Sequence, residues 1–263
     1  MINSFQICFW KNGKFRPVLN LKSLNRFVKY FHFKQENLQF VLTSTTRNCF
    51  FTSIDLCDAY FSLSIRKSDR KYLKFWWRDT LYEFTCLVFG LSTAPRVFTK
   101  VMKVIFSHIR KFGIKSFFYI DDSLVQDQTY EKCLENTNFL RQLLMSLEFK
   151  ENKEKSVFIP TQRIVFLGYI IDSVEFKVYL PQEKVEKILK VSLEILKKEK
   201  ISVREVSALI GLYSSSRCAI LLAPLFLREL DREKCDVLKE NNSEYDKKNC
   251  TIGCSQTRDF LVD

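Results

Sequence analysis

Residues 117–125 read Phe117-Phe118-Tyr119-Ile120-Asp121-Asp122-Ser123-Leu124-Val125. Two apolar runs flank a pair of adjacent carboxylates, a pattern that predicts two short buried strands joined by a tight acidic turn. Two like charges beside a core repel each other and lose hydration, and a bound divalent cation would relieve both costs. An exposed turn is the alternative interpretation, because Asp is a common turn residue.

Composition limits the classes of protein to which the chain can belong. The chain has 263 residues, of which 46% are hydrophobic, enough for a substantial core in one or two domains. A formal net charge of +12 favours nucleic acid or an anionic surface as partner, although many basic proteins bind neither. Nine cysteines without regular spacing argue against a structural zinc site and a disulfide framework. With no signal peptide or transmembrane segment recognisable, we expect an intracellular protein of the cytoplasm or nucleus that does not contact the membrane.

A second carboxylate stands at the end of another predicted strand. Residues 49–65 predict a strand that ends at Asp55, a turn, and an extended piece with period-two alternation over residues 61–65. The order strand, helix, hairpin, helix, strand predicts an α+β fold in which helices back a sheet. Such a sheet can bring Asp55 next to Asp121 and Asp122. Because neighbouring strand residues point to opposite faces, we expect one of the two adjacent carboxylates to coordinate a cation more directly.

The remaining elements follow from local patterns. A helix is predicted from Pro95, and another from about Thr129 to Phe149. The apolar stripe of this second helix is Tyr130, Leu134, Leu140, Leu144 and Leu147. Ser202 and Glu205 form a predicted capping box. Three hairpins are expected: residues 5–10 with 15–19, an aromatic pair within 71–89, and 164–171 with 174–180.

The chain divides by composition into three parts. Residues 1–180 mix strands and helices, residues 181–231 are helical, and residues 232–263 are polar, with little apolar periodicity. We expect the last part to be disordered.

Several segments, taken together and in order, resemble the motifs of reverse transcriptases. The central stretch resembles the Tyr-x-Asp-Asp signature of that family. The others are Arg16-Pro17-Val18-Leu19-Asn20-Leu21 with Leu24-Asn25, Ile54-Asp55-Leu56-Cys57-Asp58-Ala59-Tyr60-Phe61-Ser62, Leu87-Val88-Phe89-Gly90-Leu91-Ser92-Thr93-Ala94-Pro95, Asn152-Lys153-Glu154-Lys155-Ser156 and Phe166-Leu167-Gly168-Tyr169. Order and spacing match over residues 10–180. Within the family, these motif sequences resemble retrotransposon enzymes, and they are also similar to Gypsy-type and retroviral reverse transcriptases. The helical end, from Ile210-Gly211-Leu212 through Pro224-Leu225 to Arg228-Glu229-Leu230, most resembles DIRS-like elements, which carry a tyrosine recombinase.

The resemblance implies a right-hand polymerase in which residues 1–180 form fingers and palm and residues 181–231 form the thumb. It implies an RNA-directed DNA polymerase that joins dNTPs to a primer on an RNA or DNA template, using two Mg²⁺ ions or Mn²⁺ in their place. The metal ligands would be Asp55, Asp121, the Leu56 carbonyl and, assisting, Asp122, and the three carboxylates would be the catalytic residues.

The resemblance also implies a nucleotide site and a primer grip. Arg16 would clamp the triphosphate, with Lys11 assisting unless it is a solvated lysine. Tyr60 would exclude a ribose 2′-OH, or else be an ordinary core tyrosine. Lys155 would donate a proton to pyrophosphate, or else be structural. The remaining nucleotide-site residues would be Asp58, Ala59, Phe89 and Gly90. The primer grip would be Phe166, Leu167, Gly168 and Tyr169.

Two other functions stay open. The chain would be an inactive element relic that only binds nucleic acid, or an unrelated basic α+β interaction module. No convincing RNase H carboxylate set, integrase zinc pattern or protease motif is found. We therefore expect a polyprotein fragment whose RNase H and recombinase modules are encoded elsewhere.

Overall fold

The computed structural model describes residues 4–9, 15–198, 201–220 and 223–240. Contacts divide the chain into two units, Met1–Gln162 and Arg163–Asp263, and each is described by itself. The division falls between Gln162 and Arg163 rather than near Leu180, where composition changes.

The first unit begins with strands β1 (Ser4–Phe9) and β2 (Phe15–Asn20), which pair antiparallel as predicted. The turn between them lies outside the described residues. Two short helices follow, α1 (Lys22–Asn25) and α2 (Leu38–Ser44). Asn37 caps α2, because its side chain accepts a hydrogen bond from the Phe40 amide at 3.0 Å.

The remaining elements of this unit are β3 (Phe50–Cys57), β4 (Lys74–Trp77), β5 (Thr80–Glu83), α3 (Ala94–Arg110), β6 (Lys115–Tyr119), β7 (Asp122–Asp127), α4 (Tyr130–Ser146), β8 (Lys150–Glu151) and β9 (Val157–Thr161). Five of these strands form one antiparallel sheet, in the order β6-β7-β3-β8, with β9 also paired to β3. Strands β4 and β5 form the predicted aromatic hairpin. The α+β architecture is confirmed.

Helices α3 and α4 pack on the sheet and bury its apolar side chains. Phe98, Phe106 and Leu140 are fully buried against strand residues such as Ile54 and Phe118. The predicted stripe of α4 is wrong at both of its ends, where Tyr130 and Leu147 are exposed. Its buried side chains are Cys133, Asn136, Thr137, Leu140 and Leu144. Polar residues fill part of this stripe, so an apolar pattern could not locate it.

The extended piece predicted over residues 61–65 is partly wrong. Ala59–Ser62 forms a 3₁₀ helix, which begins after Asp58 adopts a left-handed backbone with φ +48°. Only residues 63–65 are extended. There the Ile65 amide donates to the Thr85 carbonyl, and the Leu87 amide donates to the Leu63 carbonyl.

Strand β6 is the outer strand of the sheet, and side chains bond to its backbone. The Glu36 carboxylate accepts hydrogen bonds from the Phe118 amide at 3.0 Å and from Arg110 Nη2 at 2.7 Å. The same guanidinium donates to the Ser116 carbonyl at 2.6 Å. Two of the polar backbone groups of this strand are therefore already bonded within the unit.

The second unit contains β10 (Arg163–Phe166), β11 (Tyr169–Asp172), β12 (Lys177–Tyr179), α5 (Gln182–Leu196), α6 (Val203–Ser214) and α7 (Ala223–Glu240). The strand predicted over residues 164–171 is wrong, because the chain turns back at Leu167 and Gly168, with φ of +49° and +75°. The strand predicted from Val174 starts later, since the Asp172 carboxylate accepts the Val174 and Glu175 amides and holds a turn.

The helices of the second unit follow their local signals. Ser202 and Glu205 form the predicted capping box of α6. The tail prediction is wrong for residues 232–240, which belong to α7, while residues 241–263 lie outside the described part. Among the helices of the described ranges, none combines the length and apolar character needed to cross a membrane.

Candidate active site

The acidic pair, Asp121 and Asp122, lies at the tip of a hairpin with a two-residue turn. Tyr119 and Asp122 pair across β6 and β7, so Ile120 and Asp121 form the turn. Ile120 adopts φ +54°, a conformation that a β-branched residue rarely accepts, and such strain is concentrated at functional sites. The Asp121 carbonyl accepts the Leu56 amide at 3.0 Å, which ties this tip to the end of β3.

Strand register brings Asp55 to this tip, as the sequence predicts. Asp55 lies directly opposite Asp122 in the β3–β7 pair. Its amide donates to Ser156 Oγ at 3.0 Å, and its carbonyl accepts the Asn152 amide at 2.8 Å. Lys155 Nζ lies 4.0 Å from Asp55 Oδ2. Three carboxylates and one ammonium group thus belong to one site.

The negative charge of the site is incompletely compensated. Burial, followed by the charges of Asp121 and Asp55, raises the pKa of Asp122 from 3.8 to about 6. A hydrogen bond with Asp55 adds to the rise in this pKa, and the Lys155 ammonium opposes it. At neutral pH, above this pKa, the Asp122 carboxyl is mostly ionised, and the site therefore favours another positive charge.

Oxygen donors of this kind suit a hard divalent cation such as Mg²⁺. Asp55 and Asp122 fit that role, since they face each other in register and since burial, followed by the charges of Asp121 and Asp55, raises the pKa of Asp122. Within the described ranges, no three His, Cys, Asp or Glu side chains are gathered closely enough to hold a metal ion as they stand. The ligand roles predicted for Asp55, Asp121, Asp122 and the Leu56 carbonyl stay predictions.

Two of the predicted nucleotide-site residues, Tyr60 and Phe89, form an aromatic wall together with Phe98. Tyr60 is only 7% exposed, and its ring centroid lies 4.9 Å from that of Phe89 and 5.4 Å from that of Phe98. Ala59 is buried, whereas Asp58 is exposed at the start of the 3₁₀ helix. Tyr60 therefore belongs to the core, and its predicted contact with a nucleotide stays a prediction.

Gly90 follows this wall at a place where only glycine fits. Its φ is +100°, and a Cβ there would lie 2.2 Å from the Leu19 carbonyl oxygen. The Leu19 amide also donates to the Phe89 carbonyl at 3.4 Å. The loop at Phe89 and Gly90 is thus pressed against the end of β2.

The structure describes little of the two predicted phosphate-binding residues, Arg16 and Lys11. Arg16 belongs to β2, opposite Cys8, but its side chain is outside the described residues. Lys11 lies outside them entirely. Their roles stay predictions.

Comparison with known proteins identifies this arrangement. A model of the family described as reverse transcriptase (RNA-dependent DNA polymerase) matches residues 10–171, more than half of the chain. The chain belongs to the reverse transcriptase family.

Among curated relatives, the chain is similar to the retrovirus-related Pol polyprotein from transposon opus of Drosophila melanogaster, with 30% identity over 163 residues. That alignment covers 61% of this chain and 16% of the polyprotein. It is also similar to the transposon Tf2-3 polyprotein of Schizosaccharomyces pombe, with 27% identity over 180 residues, 68% of this chain and 13% of that polyprotein. The reverse transcriptase chain thus spans about a sixth or less of these relatives.

Solved structures show the same fold. The foamy viral protease-reverse transcriptase in complex with double-stranded DNA superposes with a TM-score of 0.77 at 20% identity, covering 100% of this chain and 43% of that one. Its complex with an RNA/DNA hybrid gives a TM-score of 0.73 at 18% identity, covering 100% and 33%. The predicted right-hand polymerase fold is confirmed.

The predicted primer grip of this reverse transcriptase lies in the second unit. It forms the β10–β11 hairpin, in which Phe166 and Tyr169 are buried and Leu167 and Gly168 make the turn. The Tyr169 hydroxyl donates to the Ser215 carbonyl at 2.6 Å, just beyond the end of α6. The contact of this hairpin with a primer stays a prediction.

Two polar residues of the site received no role from the sequence. The Ser156 hydroxyl orients Asp55 by accepting a hydrogen bond from the Asp55 backbone amide. Asn25 bonds to Gly90 and Ser92, on the two sides of Leu91 in the loop of residues 89–92. Both occur inside segments that resemble family motifs, which was the only available signal. Their hydrogen bonds join positions far apart in the chain.

Proposed function

We propose that this chain is the RNA-directed DNA polymerase of a retrotransposon polyprotein, which adds dNTPs to a primer 3′-OH. The observation that carries the proposal is the register of Asp55 directly opposite Asp122, with Asp121 in the adjoining turn. A polymerase of this family needs carboxylates from two strands at one point, and unrelated turn acids would have no reason to meet.

The residues of the site would divide the work of nucleotidyl transfer. Asp55 and Asp121 would hold divalent cations, Mg²⁺ or Mn²⁺, with Asp122 and the Leu56 carbonyl in support. When bound, such cations supply the charge that activates a hydroxyl nucleophile and neutralises a leaving pyrophosphate. Lys155 lies 4.0 Å from Asp55 and has a half-exposed side chain, so its ammonium can face an entering triphosphate and donate a proton.

The nucleotide pocket would be shaped by Tyr60, Phe89 and Gly90, with Arg16 clamping the triphosphate. The template would be RNA or DNA paired with a primer, held by the basic surface of the chain. Other modules, such as RNase H and a recombinase, would lie elsewhere in the polyprotein. The likeness of the helical end to DIRS-like elements is part of this proposal.

A primer-extension assay tests the function. Purified protein is given a primed RNA template and dNTPs, with Mg²⁺ or Mn²⁺. We expect extension by the wild type, and a fall of at least about 100-fold in Asp121→Asn, because charge stabilisation at the reacting phosphate is lost. Asp79→Asn is the matched control, since it removes the same charge from an exposed turn at φ +58°, a conformation that Asn tolerates.

Two results would count against the proposal. Extension that survives Asp121→Asn refutes the metal role of that carboxylate. A folded wild type that extends nothing with either metal refutes the polymerase. If that wild type still binds primed duplex in a salt-sensitive manner, the relic that only binds nucleic acid is the better description.

A further inference from the structure

The Asn25 side chain bonds to the loop of residues 89–92 at two positions. Its Nδ2 donates to the Gly90 carbonyl at 2.9 Å, and its Oδ1 accepts the Ser92 amide at 2.9 Å. The side-chain amide therefore pairs with the backbone on both sides of Leu91, as a neighbouring strand would. Its own amide donates to the Leu21 carbonyl at 2.8 Å, which fixes Asn25 at the end of α1.

These bonds add to two contacts that already restrict the loop. Gly90 leaves no space for a Cβ against the Leu19 carbonyl, and the Phe89 carbonyl accepts the Leu19 amide. The loop is thus attached to the β2–α1 segment at Phe89, Gly90 and Ser92. Leu91 itself is partly buried against two apolar clusters among the described residues.

The position of this loop sets the position of the aromatic wall. The Phe89 ring contacts the Tyr60 ring at 4.9 Å and the Phe61 ring at 5.5 Å, between centroids. Thr93, the residue before α3, makes no side-chain capping bond to the helix. Asn25 therefore supplies side-chain bonds that hold the chain just before α3 begins.

We propose that Asn25 is a positioning residue for the nucleotide pocket: its side-chain amide fixes the loop of residues 89–92 and thereby the wall that an incoming dNTP contacts. The inference rests on the proposed polymerase function. Asn25 itself touches neither the carboxylates nor any reacting atom. Its effect is expected on nucleotide binding, whereas binding of the primed template and the chemical step are expected to change little.

Two variants test the hydrogen bonds of Asn25 to Gly90 and Ser92 separately. Asn25→Leu keeps the size and removes both hydrogen bonds. Asn25→Asp keeps the acceptor for the Ser92 amide but turns an oxygen toward the Gly90 carbonyl. Asn37→Ala is the matched control, because it removes a side-chain bond to the Phe40 amide in the same unit.

Primer extension at varied dNTP concentration separates an effect on nucleotide binding from an effect on the chemical step. For Asn25→Leu we expect KM for dNTP to rise about tenfold, because two hydrogen bonds that hold the loop are lost. We expect kcat and the Kd for primed template to stay within about twofold, since the carboxylates keep their places. An equal loss of kcat and template affinity, or the same KM change in Asn37→Ala, would overturn the role.

A second measurement does not require activity. Hydrogen exchange at the Ser92 amide should become about tenfold faster in Asn25→Leu, because this amide loses its acceptor, and should change less in Asn25→Asp. Unchanged exchange overturns the inference even if the wild type polymerises. If the wild type fails to extend, the proposed function falls, and faster exchange with weaker equilibrium dNTP binding would still support Asn25.

Discussion

Replacing Asp122 with Asn should make the metal-free protein more stable at pH 8 while impairing its activity. The carboxyl of Asp122 has a pKa of about 6 in place of 3.8, because it is half-buried beside Asp121 and Asp55. Each pH unit between those two values corresponds to about 1.4 kcal/mol, so the ionised group destabilises the fold by up to about 3 kcal/mol. Solvent screens a half-exposed group, and we expect ~1–2 kcal/mol.

The sign of the pH dependence follows from proton uptake. A carboxyl whose pKa is raised by folding binds more protons in the folded state than in the unfolded state. Below pH 4 the carboxyl is protonated in both states, so it does not lower the free energy of unfolding there. The destabilisation by the ionised carboxyl grows between pH 4 and pH 6 and is constant above pH 6. The gain from Asp122→Asn should therefore be largest at pH 8, about half as large at pH 5, and small at pH 4.

Thermal unfolding in a chelating buffer measures this gain. For a chain of this size we expect the midpoint to rise by about 3–6 °C at pH 8. Asp79→Asn, with the same charge change in an exposed turn, should leave the midpoint within about 1 °C, as is usual for surface substitutions. The reasoning is refuted if Asp122→Asn is no more stable than the wild type at pH 8, or if its advantage is the same at pH 4.

Three further changes have defined outcomes. Gly90→Ala should lower the free energy of unfolding by about 2–3 kcal/mol, measured by urea denaturation, because the new Cβ would meet the Leu19 carbonyl at 2.2 Å; an unchanged value would mean that the loop moves aside freely. Ser202→Ala should cost about 1 kcal/mol in the same measurement through loss of the capping box, whereas Ser207→Ala, which removes a mid-helix bond, should cost less. Tyr60→Val should raise incorporation of ribonucleotides relative to dNTPs by at least about tenfold in kcat/KM, with Tyr60→Phe unchanged; an unaltered ratio would assign Tyr60 to the core alone.

Local chemistry explains what was predictable from the sequence. The apolar runs around Asp121 and Asp122 specify a hairpin, and the Ser202 capping box specifies a helix start, because both signals lie within a few residues. The meeting of Asp55 with this hairpin was predictable because the α+β order of elements allows few arrangements.

Other features depend on signals that a sequence does not display. Leu167 adopts a left-handed backbone although it is not glycine, so the break in the predicted strand had no local marker. The buried stripe of α4 includes Asn136 and Thr137, which an apolar pattern cannot identify. Asn25 bonds to Gly90 from 65 residues away, and nothing around either residue indicates the other.

The bonds of Glu36 and Arg110 to strand β6 have a consequence for how copies of this chain behave together. An outer strand normally offers free amides and carbonyls to a strand of another molecule, and this pairing begins aggregation. Here the Phe118 amide and the Ser116 carbonyl are occupied by charged side chains. A neighbouring copy would have to displace a carboxylate and a guanidinium before it could extend the sheet. The pair thus protects the protein against intermolecular β-assembly at the strand that leads directly to the acidic tip.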